Sequence, residues 1–177
     1  MEKSFLFGGF GGQGILFMGK FLSYYGMLGG HEVSWIPSYG AEMRGGTASC
    51  GVCVSTAPVG SPVVASPDIL VCMNLPSLDK FEADLKNGGR LFVDSSLAER
   101  ESSRADVTAH YVPAAKVAAD SGLDGLANMI MMGAVMEAER FYDRELVYEA
   151  MKKTVPERKK DLFGANIKAI ETGRSLI

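Results

Sequence analysis

The stretch KSFLFGGFGGQGILFMGKFLSYYGML, residues 3–28, decides the fold. Lys3 to Gly8 is a short apolar run that reads as a buried strand. From Gln13 to Leu28 the residues Ile15, Met18, Phe21, Leu22, Tyr25 and Leu28 recur three and four apart, the spacing of one helix face. Between them Gly8, Gly9, Gly11, Gly12 and Gly14 crowd into one turn. Glycine serves where a chain needs positive φ or where another group must approach the backbone closely. Strand, glycine-rich turn and helix in succession are the opening unit of an α/β domain.

Working outward, Gly29 and Gly30 stop the helix, and Glu32 to Pro37 reads as a second strand. A second glycine-bearing loop, Ser38 to Gly46, follows it. Thr47 to Ser55 is small and β-branched enough for a third strand, and the Pro/Gly stretch Ala57 to Pro62 then turns the chain, with a hairpin toward Val63 and Val64 as one outcome. Asp68 to Met73 reads as a strand buried on both faces, Pro76 to Leu85 as a helix with proline at its start. Arg90 to Asp94 and Val107 to Val112 are further strands. Beyond Pro113 the pattern turns helical, over Ala114–Asp120, Leu126–Phe141, Arg144–Lys153 and Lys159–Glu171. The expected fold is α/β, a three-layer sandwich with a parallel or mixed central sheet and a helix-rich C-terminal third.

At 177 residues the chain is expected to form one domain, residues 1–177. A formal charge of −3 gives no electrostatic case for nucleic acid or an anionic membrane. No apolar run reaches the roughly 18 residues a membrane helix needs, and the segment before the glycine turn is too short for a signal peptide. Three cysteines do not make a disulfide framework, so a reducing cytoplasm is the expected compartment. Met129, Met131, Met132 and Met136 suit an irregular core or an adaptable surface, with core the expectation.

Gly9-x-Gly11-x-x-Gly14 satisfies a dinucleotide-binding pattern, and a helix N-terminus behind it favours an anion. That fingerprint also requires an acid near the end of the second strand, about 20 residues on. Here that strand ends Ile36-Pro37-Ser38, and Glu32 lies at its other end. A tight packing turn is therefore the competing reading. Cys50 and Cys53 resemble a metal or redox pair, but three residues apart in a strand they point to opposite faces. Cys72 reads as a buried hydrophobe, and three scattered thiols do not supply the four an iron–sulfur cluster needs. His31 and His110 lack neighbours of catalytic type and read as structural. Asp94-Ser95-Ser96 reads as a cap on the following turn. The charges from Glu139 to Asp161, seven basic and six acidic, read as a solvated helical surface.

The more specific segment is Trp35-Ile36-Pro37-Ser38-Tyr39-Gly40-Ala41-Glu42-Met43-Arg44-Gly45-Gly46-Thr47-Ala48. Together with the first turn, with Ser66-Pro67-Asp68-Ile69-Leu70-Val71 and with Asn166-Ile167-Lys168-Ala169-Ile170-Glu171-Thr172-Gly173, it resembles the gamma subunit of 2-oxoacid:ferredoxin (acceptor) oxidoreductases. Met43 to Ala48 looks most like the 2-oxoglutarate or branched-chain type. The resemblance implies a complex in which a thiamine-diphosphate enzyme decarboxylates a 2-oxoacid, reduces ferredoxin through iron–sulfur clusters and forms an acyl-CoA. It implies partner alpha and beta subunits, commonly a ferredoxin-like delta, and CoA and a 2-oxoacid as substrates of the whole. Thiamine diphosphate, magnesium and the clusters belong to those partners; this chain lacks their motifs, since Asp124-Gly125 follows Leu123 where the thiamine motif has glycine. No cofactor, no metal and no catalytic residue is expected in this chain alone, which would be inactive by itself. The expected contact residues are Gly9, Gly11, Gly12, Gln13 and Gly14 in the first loop and Ser38, Tyr39, Gly40, Glu42, Arg44, Gly45 and Gly46 in the second. Arg44 would bridge to a carboxylate or phosphate, and the two loops would share one face, near the CoA-side entrance of the complex. The alternatives are a free-standing NAD(P)- or flavin-binding oxidoreductase and a purely structural assembly subunit.

Overall fold

A computed structural model describes residues 2–38 and 47–177. β1 (Glu2–Phe10) leads through the glycine turn into α1 (Ile15–Leu28), then β2 (Glu32–Ser38) and β3 (Thr47–Ser55). β4 (Ile69–Cys72), α2 (Leu75–Phe81), β5 (Arg90–Asp94) and β6 (Thr108–Val112) follow. The last third is helical: α3 (Ala114–Asp120), α4 (Ala127–Ala138), α5 (Arg144–Thr154) and α6 (Leu162–Arg174). The six strands form one sheet in the order β2-β3-β1-β4-β5-β6. β3 runs antiparallel to both its neighbours, and β1, β4, β5 and β6 are mutually parallel. The sheet is therefore mixed, as the sequence leads one to expect.

Strand alternation sorts the core into two unequal halves. Phe5, Phe7, Ile69, Val71 and Phe92 face a large cluster built with α1, α4, α5 and α6. Leu6, Leu70, Leu91 and Val93 face a small one with Leu78, Phe81 and Leu85. The layering is three-fold but lopsided, because all the C-terminal helices stack on one side. α4 lies deepest: Met129, Ile130, Met131, Met132, Val135 and Met136 are each fully buried. A helix apolar all round has no face to give to water, and its methionines are core.

Several boundaries differ from the sequence reading: α2 ends at Phe81 rather than Leu85, and α6 runs from Leu162 to Arg174 rather than from Lys159 to Glu171. No strand forms at Val63 or Val64; instead Val64 packs within 3.2 Å of where a Gly51 Cβ would stand, covering the sheet with a side chain rather than a hairpin. α1 begins at Ile15, because Gly14 is left-handed (φ 74°). α4 ends at Ala138, three residues before Phe141. Arg140 takes φ 56°, the Arg140 N–H donates to the Glu137 carbonyl, and the Phe141 N–H donates to that of Met136. This pair of bonds is the Schellman ending, made here without glycine. It tucks Phe141 edge-on against Phe5 and beside Tyr25, whose hydroxyl donates to the Phe141 carbonyl.

The same turn corrects the reading of Glu139 as a solvated charge. Its side chain is 3% exposed and pairs with Lys3 Nζ at 2.5 Å and Arg90 Nε at 2.7 Å. Reversal of the chain at Arg140 points Glu139 back at the bases of β1 and β5, a long-range placement that no local pattern encodes.

Candidate functional site

The glycine turn closes over the carboxyl end of β1, the edge where open α/β sheets place their ligands. Its geometry is fixed mainly by Gln13. The Gln13 Oε1 accepts from the Phe10 N–H at 2.7 Å and from Asn74 Nδ2 at 2.8 Å, and its Nε2 donates to the Met73 carbonyl at 3.0 Å. Asn74 in turn caps α2, accepting from the Ser77 N–H at 2.9 Å. One side chain thus ties the turn to the ends of β1 and β4 and the start of α2. A Cβ on Gly9 would stand 2.6 Å from Ile15 and 2.9 Å from Gln13, and one on Gly14 2.3 Å from Asn128. Gly12 differs: φ is +94° and nothing lies within 4 Å.

The turn therefore divides into a packed half, Gly9, Gln13 and Gly14, and an exposed half, Gly11 and Gly12. No side chain caps α1 and no acid sits in its first turn, so its N-terminal dipole is unopposed locally. A cavity of about 260 Å³ opens beside the exposed half, walled by Phe10, Gly11, Gly12, Gly14, Phe17 and Ala48.

β2 ends and β3 begins at the same edge. Thr47, where β3 begins, pairs with Phe10, and Ser38 pairs with Ser49. Tyr39, Gly40, Glu42, Arg44, Gly45 and Gly46 lie outside the described residues. Glu32, the acid nearest the second strand, pairs with Ser55 at the opposite edge. The carboxyl end of β2 therefore lacks the acid that the dinucleotide fingerprint requires there.

Cys50 and Cys53 diverge to opposite faces of β3. Trp35 Nε1 donates to Cys50 Sγ at 2.8 Å beneath α1, whereas Cys53 faces the Ser61 carbonyl at 3.9 Å. Burial pushes the thiols of Cys50 and Cys72 up to about 12 and raises that of Cys53. Cys50 and Cys72 belong to the two different core clusters, so the three thiols do not converge on one point, as a cluster site requires. His110 stacks on Phe92 at 4.7 Å, and burial, followed by the Arg90 charge, lowers its pKa. Asp94 is fully buried and accepts from the N–H groups of Ser96 at 3.0 Å and Ala115 at 3.0 Å, so it caps both the next turn and the distant start of α3. Burial raises its pKa against those donors.

Sequence reasoning missed Asn128, Glu82 and Glu139. Glu82 is 6% exposed, bound by Arg100 at 2.9 Å, the Ser102 hydroxyl at 2.6 Å and the Ser103 N–H at 2.8 Å. Glu82 and Glu139 sit in mixed local sequence and Asn128 in an apolar run, and only long-range partners reveal their roles.

The family model described as pyruvate ferredoxin/flavodoxin oxidoreductase matches residues 4–176. The chain is 42% identical over 166 residues to the ketoisovalerate oxidoreductase subunit VorA of Methanothermobacter thermautotrophicus, covering 93% of this chain but 34% of that protein. It thus spans about a third of the length of that relative. It is 35% identical to the 2-oxoglutarate synthase subunit KorC of Methanocaldococcus jannaschii, covering 88% of this chain and 85% of that one. A solved structure of a keto/oxoacid ferredoxin oxidoreductase gamma subunit from Geobacter sulfurreducens superimposes with a TM-score of 0.83 at 27% identity, over 98% of this chain and 97% of that one.

Proposed function

Because the chain belongs to the pyruvate ferredoxin/flavodoxin oxidoreductase family, we propose that it is the gamma subunit of a heteromeric, thiamine-diphosphate-dependent 2-oxoacid:ferredoxin oxidoreductase. The family match across residues 4–176 carries this reading. The complex converts a 2-oxoacid and CoA to acyl-CoA and CO₂, passing two electrons to ferredoxin. Thiamine diphosphate, when bound in the partner subunits, stabilises the carbanion left by decarboxylation. This chain contributes the docking face at the carboxyl edge of the sheet. Gln13 holds the turn rigid, Gly11 and Gly12 let a neighbour approach the backbone, and the α1 dipole favours anionic groups there. On this reading Arg44 and Tyr39 contact the partner subunits near the CoA-side entrance, and alpha, beta and a ferredoxin-like delta are the partners. The complex works in the cytoplasm; among the described residues no helix is long and apolar enough to cross a membrane.

For substrate, 2-oxoglutarate is the favoured 2-oxoacid, and the 42% identity to a ketoisovalerate subunit supports a branched-chain 2-oxoacid as the second reading. Reconstitution with the alpha and beta subunits, followed by CoA-dependent ferredoxin reduction with 2-oxoglutarate, 3-methyl-2-oxobutanoate and pyruvate, tests both. Turnover that needs this chain supports the subunit role, and the preferred 2-oxoacid decides the subtype. Nucleotide binding by the isolated chain, with no association with either partner, would overturn the role in favour of a free-standing enzyme.

A further inference from the structure

The first strand begins and the last helix ends at one place, the edge of the sheet opposite the glycine turn. α4 finishes there, with Glu137 in its last turn and Glu139 just after it. Lys3, at the start of β1, pairs with Glu139 at 2.5 Å, and Arg174, at the end of α6, pairs with Glu137 at 2.8 Å. Glu2 pairs with Ser55, and Ser55 with Glu32, so the close of β3 and the start of β2 lie on that amino edge too. α1 ends beside them: a Cβ on Gly26 would stand 2.9 Å from Val33.

This edge carries exposed apolar groups. Met27 is 50% exposed and Leu28 37% at the end of α1, and Leu176 and Ile177 are exposed after α6. Between α1 and the Phe141 turn lies a cavity of about 480 Å³, walled by Phe5, Leu22, Phe141 and Leu146. Of the charged groups that line it, Lys3 is committed to Glu139, and Asp143 accepts from the Leu146 N–H at 3.0 Å. The cavity therefore offers an occupant apolar contact rather than a free charge. Apolar surface bordered by polar groups is the make-up of a protein interface.

The length of the VorA relative indicates what covers this edge. Through 93% of its own residues this chain matches 34% of that protein, which carries the other two thirds on the same polypeptide. Because β1 starts and α6 ends at one edge, further chain joined to either end of such a domain departs from the amino edge. On the subunit role proposed above, those two thirds correspond to a partner subunit. We infer that this subunit docks on the amino edge, covering Met27 and Leu28 and placing an apolar side chain in the cavity between α1 and Phe141.

Amide hydrogen exchange in the wild-type chain, alone and reconstituted with its alpha and beta subunits, tests this without any substitution. Exchange at residues 27–31 and 141–146 should slow by about 10-fold or more on assembly, and the subunit matching the remainder of VorA should suffice. By calorimetry, M27Q/L28Q should weaken association by about 10-fold or more, and V63Q, at an exposed apolar residue elsewhere, by less than about 2-fold. The melting temperature of each variant alone monitors its fold. Unchanged exchange at both segments in an assembled complex, or wild-type affinity in M27Q/L28Q, would overturn the docking surface and leave the subunit role intact. Failure of the wild type to bind either partner would overturn the role and the surface together. Protection that rises with the concentration of this chain alone would mean that a second copy covers the edge, and the proposal would fall.

Discussion

Glycine does two different jobs in this molecule, at the turn after β1 and at the crossing of α4 with α6. At the crossing, a Cβ on Gly173 would stand 1.7 Å from the Ile130 carbonyl oxygen, and one on Gly133 would stand 2.0 Å from that of Ile170. Each helix presses its backbone into the other's glycine, and backbone cannot rotate aside as a side chain can. At the turn, Gly12 has open space where a side chain would go and is restricted only by its positive φ. One site uses glycine because there is no room, the other because of conformation and access. Only the second leaves a surface that a partner can reach.

The contrast breaks first at the crossing. Gly173→Ala or Gly133→Ala should destabilise the chain by at least about 3 kcal/mol, since overpacking here moves two main chains; urea midpoints measure it, and a loss below about 1 kcal/mol would mean the helices can part cheaply. The two changes together should cost less than their sum, because one displacement relieves both.

Gln13→Ala removes three hydrogen bonds at the packed half of the turn and should cost about 2 kcal/mol. Faster amide exchange at Phe10 and Ser77 would accompany it. Gly12→Ala should cost only about 1 kcal/mol, the penalty of a left-handed residue. Gly12→Val should weaken subunit association or raise the Michaelis constant for CoA while affecting decarboxylation less. If Gly12→Val altered neither, the exposed half of the turn would be a packing feature after all.

Arg140→Gly sharpens the point from the other side. Arg140 sits at φ 56° where glycine usually ends a helix, so the change should stabilise by about 0.5–1 kcal/mol. A third close approach sets Cys50 Sγ 2.2 Å from where a Gly19 Cβ would stand. The Cys50 and Cys72 thiols should resist a thiol reagent until the chain unfolds. Their folded values, about 12, lie above the ordinary 9.0. The stability they contribute is therefore complete below pH 9 and is lost as pH rises from 9 toward 12.

Much of this was legible locally. The period-two and period-3.6 patterns place every strand and helix of the described chain, because burial of one face leaves its period in the residues. The strand–turn–helix opening located the candidate face, and the divergence of Cys50 and Cys53 followed from strand geometry alone. Gln13 is different: its sequence position gives a turn residue, and its role as a clamp on Met73 and Asn74 depends on partners some sixty positions away. Gly173 lay within the segment that resembles the family, yet its physical reason, a helix crossing, needed α4 beside α6.

The sequence by itself therefore determined which segments are strands and helices, that they build an α/β domain, and which family the motifs resemble. Only the tertiary structure decided that all the C-terminal helices stack on one face, that Glu139 is buried between Lys3 and Arg90, and that the start of β1 and the end of α6 meet at the end of α4. The reason is range. Periodicity and turn chemistry act over a few residues and leave their mark locally, whereas charge pairing, cavity walls and backbone contact join residues far apart in the chain and exist only once it has folded.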